Sequence, residues 1–303
     1  MKLSVLYRGP LSSCNYACGY CPFSKRKDSA SQLERDRAAL SRFTDWLGRQ
    51  DGHEWKVLFT PWGEALARSW YRDAMAELSH MPHLDTVAVQ TNLSCGLRWL
   101  DKCRVDRVSL WATYHPTETT CGAFVRKVEQ VRERGVRICV GVVGVPEFMD
   151  EIVHLHQQLP HGVYLWINAQ QPRSRPYTRE EASRFQAIDP QFLLSARRQP
   201  AFGRHCPAGE ISFTVDGAGD MRRCHFVEHV IGNCYEPDWE QTLRARTCPN
   251  RFCDCFLGKS QFLAKELIPF FGSTSLERLP APAGKLYARV PRNSDEKGVE
   301  FKK

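Results

Sequence analysis

The feature that most limits how this chain can fold is the regular alternation of short apolar runs with amphipathic stretches through its first two-thirds. Apolar runs near residues 3–7, 56–60, 86–90, 107–111, 137–143 and 163–168 read as strands. Between them, apolar residues recur at helical spacing: Leu33, Leu40, Phe43 and Leu47, then Phe124, Val128 and Val131, then Ile152, Leu155 and Leu159. Strand and helix in strict succession predict an α/β fold, a parallel sheet with helices packed outside it. In such sheets ligands gather at the carboxyl ends of the strands. A last unit is expected over 178–199, opened by Thr178 and Glu181 at capping-box spacing.

Length and composition fit one catalytic-size domain with a smaller appendage. The chain has 303 residues, and a barrel of strand-helix units uses about 200. No apolar run reaches the eighteen or so residues that cross a bilayer, and Met1 to Val5 leads straight into a strand without a signal segment. A cytoplasmic protein is expected. Thirteen cysteines in such a setting point to metal rather than disulfides. Cys95, Cys103, Cys121 and Cys139 are scattered and are expected to behave as small apolar residues. The net charge of +8 permits nucleic-acid binding. The basic residues form no stripe, however; Lys25-Arg26-Lys27 and the tail from Lys297 to Lys303 read as solvated segments. Neither nucleic acid nor membrane is an expected partner.

Cys14, Cys18 and Cys21 form Cys-x3-Cys-x2-Cys just after the first strand, with Tyr20 before the last thiol. Three thiolates so spaced can hold three irons of a four-iron cluster, leaving one iron open to bind and activate a molecule. A structural zinc site is the competing reading, but zinc needs four ligands. His53 lies far along the chain and no second cysteine pair adjoins the loop.

This spacing resembles the signature of the radical S-adenosylmethionine (radical SAM) superfamily, and further segments match that family in order. Pro61-Trp62-Gly63-Glu64-Ala65-Leu66 is similar to its Gly-Gly-Glu-Pro motif, with Trp62 and Ala65 departing from it. Val87-Ala88-Val89-Gln90-Thr91-Asn92 resembles its third strand, and Val108-Ser109-Leu110 its fourth. Gly141 to Glu147 is similar to the fifth-strand stretch that packs on adenine. The resemblance implies a partial (β/α)6 TIM-like barrel over 1–200. It implies a four-iron cluster on Cys14, Cys18 and Cys21, and S-adenosylmethionine contacts from Tyr20, Gly63, Glu64, Thr91, Asn92, Ser109 and Gly144. Glu64 also reads as a first-turn acid, Asn92 as a turn residue, and Ser109 as a hydroxyl satisfying a strand end. His115, before a proline, reads first as structural. No catalytic residue is singled out.

A second cysteine-rich region follows. Cys206 precedes Ile211 to Val215, Asp216-Gly217 turns the chain, and Met221 to Cys224 returns, so a hairpin should bring Cys206 near Cys224. Cys248, Cys253 and Cys255 come after a stretch around Trp239 to Arg246 that reads as helical. This resembles the small C-terminal Cys-rich appendage called SPASM or, when shortened, twitch, here over 201–258. The resemblance implies an auxiliary four-iron cluster on Cys206, Cys224, Cys253 and Cys255, with Cys248 as alternate and Cys234 left out; a zinc ribbon is the competing reading. The tail over 259–303, with Phe262, Leu267, Ile268, Phe270 and Phe271, is expected to cap the barrel mouth or simply pack.

The family's chemistry implies reductive cleavage of S-adenosylmethionine to a 5′-deoxyadenosyl radical, which takes hydrogen from a small molecule or peptide. A reducing partner such as flavodoxin or ferredoxin is implied. The sequence starts at the first strand without a winged-helix-like segment for a leader peptide, which tilts the expectation toward a small molecule or a separately delivered peptide. The alternatives are a radical SAM enzyme acting on RNA and a zinc or iron-sulfur module that binds nucleic acid without catalysis.

Overall fold

Each apolar run becomes a strand, and the computed structural model describes them within residues 1–23, 26–171 and 175–254. The alternating part runs β1 (Lys2–Arg8), α1 (Ala30–Gly48), β2 (Glu54–Phe59), α2 (Ser69–Ser79), β3 (Leu84–Thr91) and β4 (Val108–Tyr114). It continues with α3 (Cys121–Glu133), β5 (Arg137–Gly144), α4 (Met149–Gln158), β6 (Leu165–Ala169), α5 (Arg179–Ile188) and α6 (Phe192–Ala196). Then come β7 (Gln199–Pro200), β8 (His205–Cys206), β9 (Ser212–Asp216), β10 (Asp220–Arg222), β11 (Val230–Asn233), β12 (Arg246–Thr247) and β13 (Phe252–Cys253).

Nine of these strands form one sheet in the order β11-β10-β9-β1-β2-β3-β4-β5-β6. β1 to β6 pair in parallel. β9 adds to the free edge of β1, also parallel, with Ser4 opposite Ser212 and Arg8 opposite Asp216. β10 and β11 follow antiparallel. The fold is thus mixed α/β with a large, mostly parallel sheet, as the alternation predicts.

Side-chain alternation gives the sheet two different faces. Leu3, Val5 and Tyr7 of β1, Val87 and Val89 of β3, and Val140 and Val142 of β5 belong to the main apolar core, together with Phe43 of α1 and Phe124 of α3. The intervening residues carry polar groups: Ser4 and Arg8 on β1, Thr60 just past β2, Gln90 on β3, Thr113 on β4 and Asn168 on β6. Thr60 Oγ1 donates to Gln90 Oε1 at 2.9 Å across this face.

The helix ends follow local chemistry. α1 starts at a capping box of Ser29 and Gln32, and α5 at the expected one of Thr178 and Glu181. The last expected unit breaks into two helices at Asp189, because a residue before proline leaves the helical region. The buried Asp189 carboxylate accepts from Tyr164 OH at 2.6 Å, Ile167 N at 2.9 Å and Gln191 N at 2.9 Å, tying that break to β6.

Two expectations are corrected. The fourth strand does not stop at 111 but runs to Tyr114, whose ring packs on Phe124 of α3 at 5.2 Å. The stretch from Trp239 to Arg246 holds a single 3-10 turn, Trp239–Thr242, because Arg246 is recruited into β12 opposite Cys206. Cys255 and the tail residues Phe262, Leu267, Ile268, Phe270 and Phe271 lie outside the described residues. No helix among the described residues is long and apolar enough to cross a membrane.

Candidate functional site

The segment that carries Cys14, Cys18 and Cys21 leaves the carboxyl end of β1 and is fastened by two aspartates. Asp36 of α1, fully buried, accepts from Leu11 N at 3.0 Å, Trp70 Nε1 at 2.7 Å and Tyr71 OH at 3.1 Å. Asp28 accepts from Ser12 N at 2.9 Å, Ser13 N at 2.8 Å, Ser13 Oγ at 2.6 Å and also Ser12 Oγ. Burial pushes the Asp28 carboxyl up, but these serine hydrogen bonds outweigh it and hold the carboxyl down at about 2.

The segment after β2 docks on this loop through its backbone. Gly63 N donates to Leu11 O and Glu64 N to Ser13 O, both at 3.1 Å. A Cβ on Gly63 would sit 2.1 Å from Ser13 O, so only glycine fits there. The buried Glu64 carboxylate then clamps β3: Thr91 Oγ1 donates to Oε1 at 2.6 Å, Leu66 N to Oε1 at 3.0 Å, and Asn92 N to Oε2 at 2.7 Å. Burial raises its pKa against these hydrogen bonds. Three bonds leave a carboxylate room for one further donor.

Asn92 carries the chain of contacts back to the thiols. Its Nδ2 donates to Asn15 Oδ1 at 3.0 Å and lies 3.7 Å from Cys14 Sγ. The turn beyond it holds Leu93 at φ +56°, and Lys127 Nζ secures it by donating to Leu93 O, Ser94 O and Cys95 O at 2.9, 2.6 and 3.1 Å.

On the other side, His115 follows β4 and meets the loop. Its Nδ1 lies 2.9 Å from Tyr20 OH and 3.3 Å from Cys18 Sγ, and its ring stacks on Tyr20 at 6.0 Å. Burial pushes His115 down to about 4, so the imidazole is neutral near pH 7. Its Nδ1 thus shares hydrogen-bond contacts with the Tyr20 hydroxyl and the Cys18 thiol. Burial likewise raises Cys14 and takes Cys18 up to about 11, with Cys21 contributing to both.

The sequence-predicted site residues Cys14, Cys18, Cys21, Tyr20, Gly63, Glu64, Thr91 and Asn92 therefore meet at the carboxyl ends of β1, β2 and β3. Gly144 ends β5, where its carbonyl accepts Tyr177 OH at 2.6 Å and a Cβ would press on Ile167 at 2.9 Å. Ser109 is not brought to this edge. It is the second residue of β4, opposite Arg137, the first residue of β5, and its buried hydroxyl has no hydrogen-bond partner among the described residues. Thr113, four residues on and on the same face, stands at the carboxyl end with a buried, equally unsatisfied hydroxyl. Asp28, Asp36, Lys127 and Thr113 were not expected; only their long-range bonds or register reveal them.

The second cysteine region is a ribbon. Residues 199–206 run antiparallel to 246–253, through β8 with β12 and β7 with β13. Cys248 N donates to Arg204 O at 2.8 Å, and Gly203 N to Cys248 O at 2.9 Å. Burial raises the Cys206 thiol, and Cys248 follows directly on Arg246 and Thr247, the partners of Cys206 and His205. Cys253 lies farther along, opposite Gln199. Among the described residues no three Cys, His, Asp or Glu side chains close into a metal cage. The donor types do suit iron or zinc: three thiols on the first loop, and four on the ribbon and hairpin.

No protein-family model matches the chain, and no curated protein matches it in sequence. Solved structures do. Native anSMEcpe with bound AdoMet is similar at a TM-score of 0.55 and 14% identity, covering 79% of this chain and 80% of that one. Native anSMEcpe with bound AdoMet and Kp18Cys peptide gives 0.54 and 13%, covering 80% of each. The likeness is one of fold.

Proposed function

We propose that this chain is a radical SAM enzyme with a partial (β/α)6 barrel over 1–200 and a SPASM/twitch-like auxiliary-cluster domain over 201–258. The observation that carries the reading is the docking of the three-cysteine loop onto Gly63, Glu64 and Asn92 at the carboxyl ends of adjacent parallel strands. A shared fold with a protein that binds AdoMet supports it. So does the polar face of the sheet, whose Trp111 and Trp166 are buried outside the main core cluster, as a curled sheet requires.

In this reading Cys14, Cys18 and Cys21 would hold a four-iron cluster, which would supply one-electron cleavage of S-adenosylmethionine and the hydrogen abstraction that follows. The chain's own residues do the rest. Asp28 and Asp36 fix the loop that carries the thiols. Glu64, with one lone pair to spare, and the backbone of Gly63 receive the amino group of the methionine moiety. Asn92 orients the Cys14 side, and Tyr20 and neutral His115 wall the Cys18 side. Gly144 lets β5 and β6 approach the adenine, and Thr113 takes the role expected of Ser109.

The auxiliary cluster is assigned to Cys206, Cys224 and Cys248, with Cys253 or Cys255 completing it; the ribbon register, in which Cys248 comes two residues after the partner of Cys206, favours the alternate ligand. A flavodoxin- or ferredoxin-type reductant serves a cytoplasmic enzyme whose substrate is a small molecule or peptide. The Kp18Cys peptide bound to anSMEcpe lends weight to a peptide.

Anaerobic reconstitution followed by iron and sulfide analysis, then incubation with dithionite and S-adenosylmethionine, tests the proposal. About eight irons per chain and formation of 5′-deoxyadenosine are expected. A filled cluster that yields no 5′-deoxyadenosine ends it.

A further inference from the structure

Four charged side chains are buried almost completely among the described residues: Asp36, Glu64, Asp189 and Arg223. Each of the three acids is satisfied by three or more donors. Arg223, 4% exposed, is the one cation, and its partners are of a different kind. Its Nη2 donates to Arg246 O at 3.1 Å and to Cys206 O at 3.4 Å, and its Nη1 to Thr247 O. All three are backbone carbonyls, and no carboxylate pairs with it among the described residues. A buried guanidinium held only by neutral dipoles is costly unless an anion lies close by. The neighbours able to supply one are thiols: Cys224 is next in sequence, Cys206 lends its carbonyl, and Cys248 follows Thr247, whose carbonyl also receives the guanidinium.

We propose that Arg223 is a positioning residue for the C-terminal metal centre, tying the Cys206 strand to the Cys248 ribbon and supplying the buried positive charge that offsets metal-bound thiolates. The inference rests on the reading of these cysteines as a second cluster. The planar fork matters because it reaches carbonyls on both strands at once. The loop is shaped around it: Gly209, at φ +89°, lies so close that a Cβ there would sit 2.7 Å from Arg223 Cβ. Arg246 Nη1, donating to Gly209 O at 2.9 Å, closes the loop from the other side. A fixed positive charge beside an iron-sulfur cluster favours its more negative, reduced form and so raises its potential.

The test isolates the second centre in the full chain by replacing Cys14, Cys18 and Cys21 with Ala. After anaerobic reconstitution this parent should hold about four irons; a parent without iron refutes the second-cluster reading itself. In that background Arg223→Gln should retain several-fold less iron, and its filled fraction should titrate at a lower potential by EPR-monitored reduction. Arg223→Lys, which keeps the charge but not the fork, should recover the potential while retaining iron only in part. Full iron and an unchanged potential in Arg223→Gln overturn the role of Arg223 while leaving the second cluster standing. In the chain with all cysteines present, Arg223→Gln should leave iron at the N-terminal loop unchanged; loss of both centres would mean a general folding defect and also overturn it.

Discussion

Substituting Gly63 by Ala tests whether the cysteine loop is held as described. The new Cβ would lie 2.1 Å from Ser13 O, about 1 Å inside any tolerable contact, and the obstacle is backbone rather than a flexible side chain. Keeping the dock intact would cost about 1–3 kcal/mol or more in overpacking. Letting go forfeits the bonds from Gly63 N to Leu11 O and from Glu64 N to Ser13 O, at about 1 kcal/mol each. At such a severe overlap release is cheaper, so the loop parts from the segment after β2 while the sheet survives. About 2 kcal/mol lost from a local opening equals roughly 30-fold less hydrogen-exchange protection. Exchange at the Gly63 and Glu64 amides should show that loss, with strand amides of β3 to β5 unchanged, and iron retained by the N-terminal loop should fall in parallel. Unaltered protection and unaltered iron in Gly63→Ala would refute the dock and the site built on it.

The anchors and neighbours of the loop give further expectations. Asp28, at about 2 against an ordinary 3.8, contributes stability that is present above pH 4 and lost as pH falls toward 2. Proteolysis of the loop should therefore accelerate across that window, and Asp28→Asn should show the fast rate at every pH. His115, at about 4 against 6.5, works in the opposite sense to a salt-bridged histidine: protonating it costs stability as pH falls from 6.5 toward 4. An NMR titration should find it neutral at pH 6, and His115→Phe should flatten that part of the stability profile. Tyr177→Phe removes the donor to Gly144 O and the acceptor for Gln170 N, at 2.6 and 2.8 Å. It should lower stability by about 1–3 kcal/mol in denaturant titrations.

What could be read from the sequence follows from where each signal is stored. The parallel strands read as nearly continuous apolar runs because both of their faces are largely buried, and Gly63 and Asn92 sit in motifs short enough to recognise. Ser109 is expected from the likeness of Val108-Ser109-Leu110 to a motif, but the strand continues to Tyr114 under α3. A strand end set three residues too early places Ser109 nearer the carboxyl edge than it lies, and Thr113 is the β4 hydroxyl on that face that stands there. The two-residue strands of the ribbon have no periodicity to read. They exist because Arg223 and Arg246 gather backbone carbonyls across chain segments. The loop anchors Asp28 and Asp36 are unreadable for the same reason: their meaning lies in partners brought by the fold.

The sheet topology bears on how the two cysteine regions communicate. β1 launches the Cys14–Cys21 loop from its carboxyl end, and its free edge pairs with β9, which lies in sequence between Cys206 and Cys224. The link continues through side chains: the Arg8 guanidinium stands 4.3 Å over the Trp62 ring, and its charge together with burial pushes His225 down to about 3. Trp62 precedes Gly63, and His225 follows Cys224. The position at which Pro61 to Leu66 departs from the Gly-Gly-Glu-Pro pattern it resembles thus coincides with a bridge between the two regions. If that bridge couples them, Trp62→Gly should leave iron at both sites intact and shift the His225 titration, with Arg8 freed from the ring. A His225 titration identical in Trp62→Gly and the parent would refute coupling through Arg8 and Trp62.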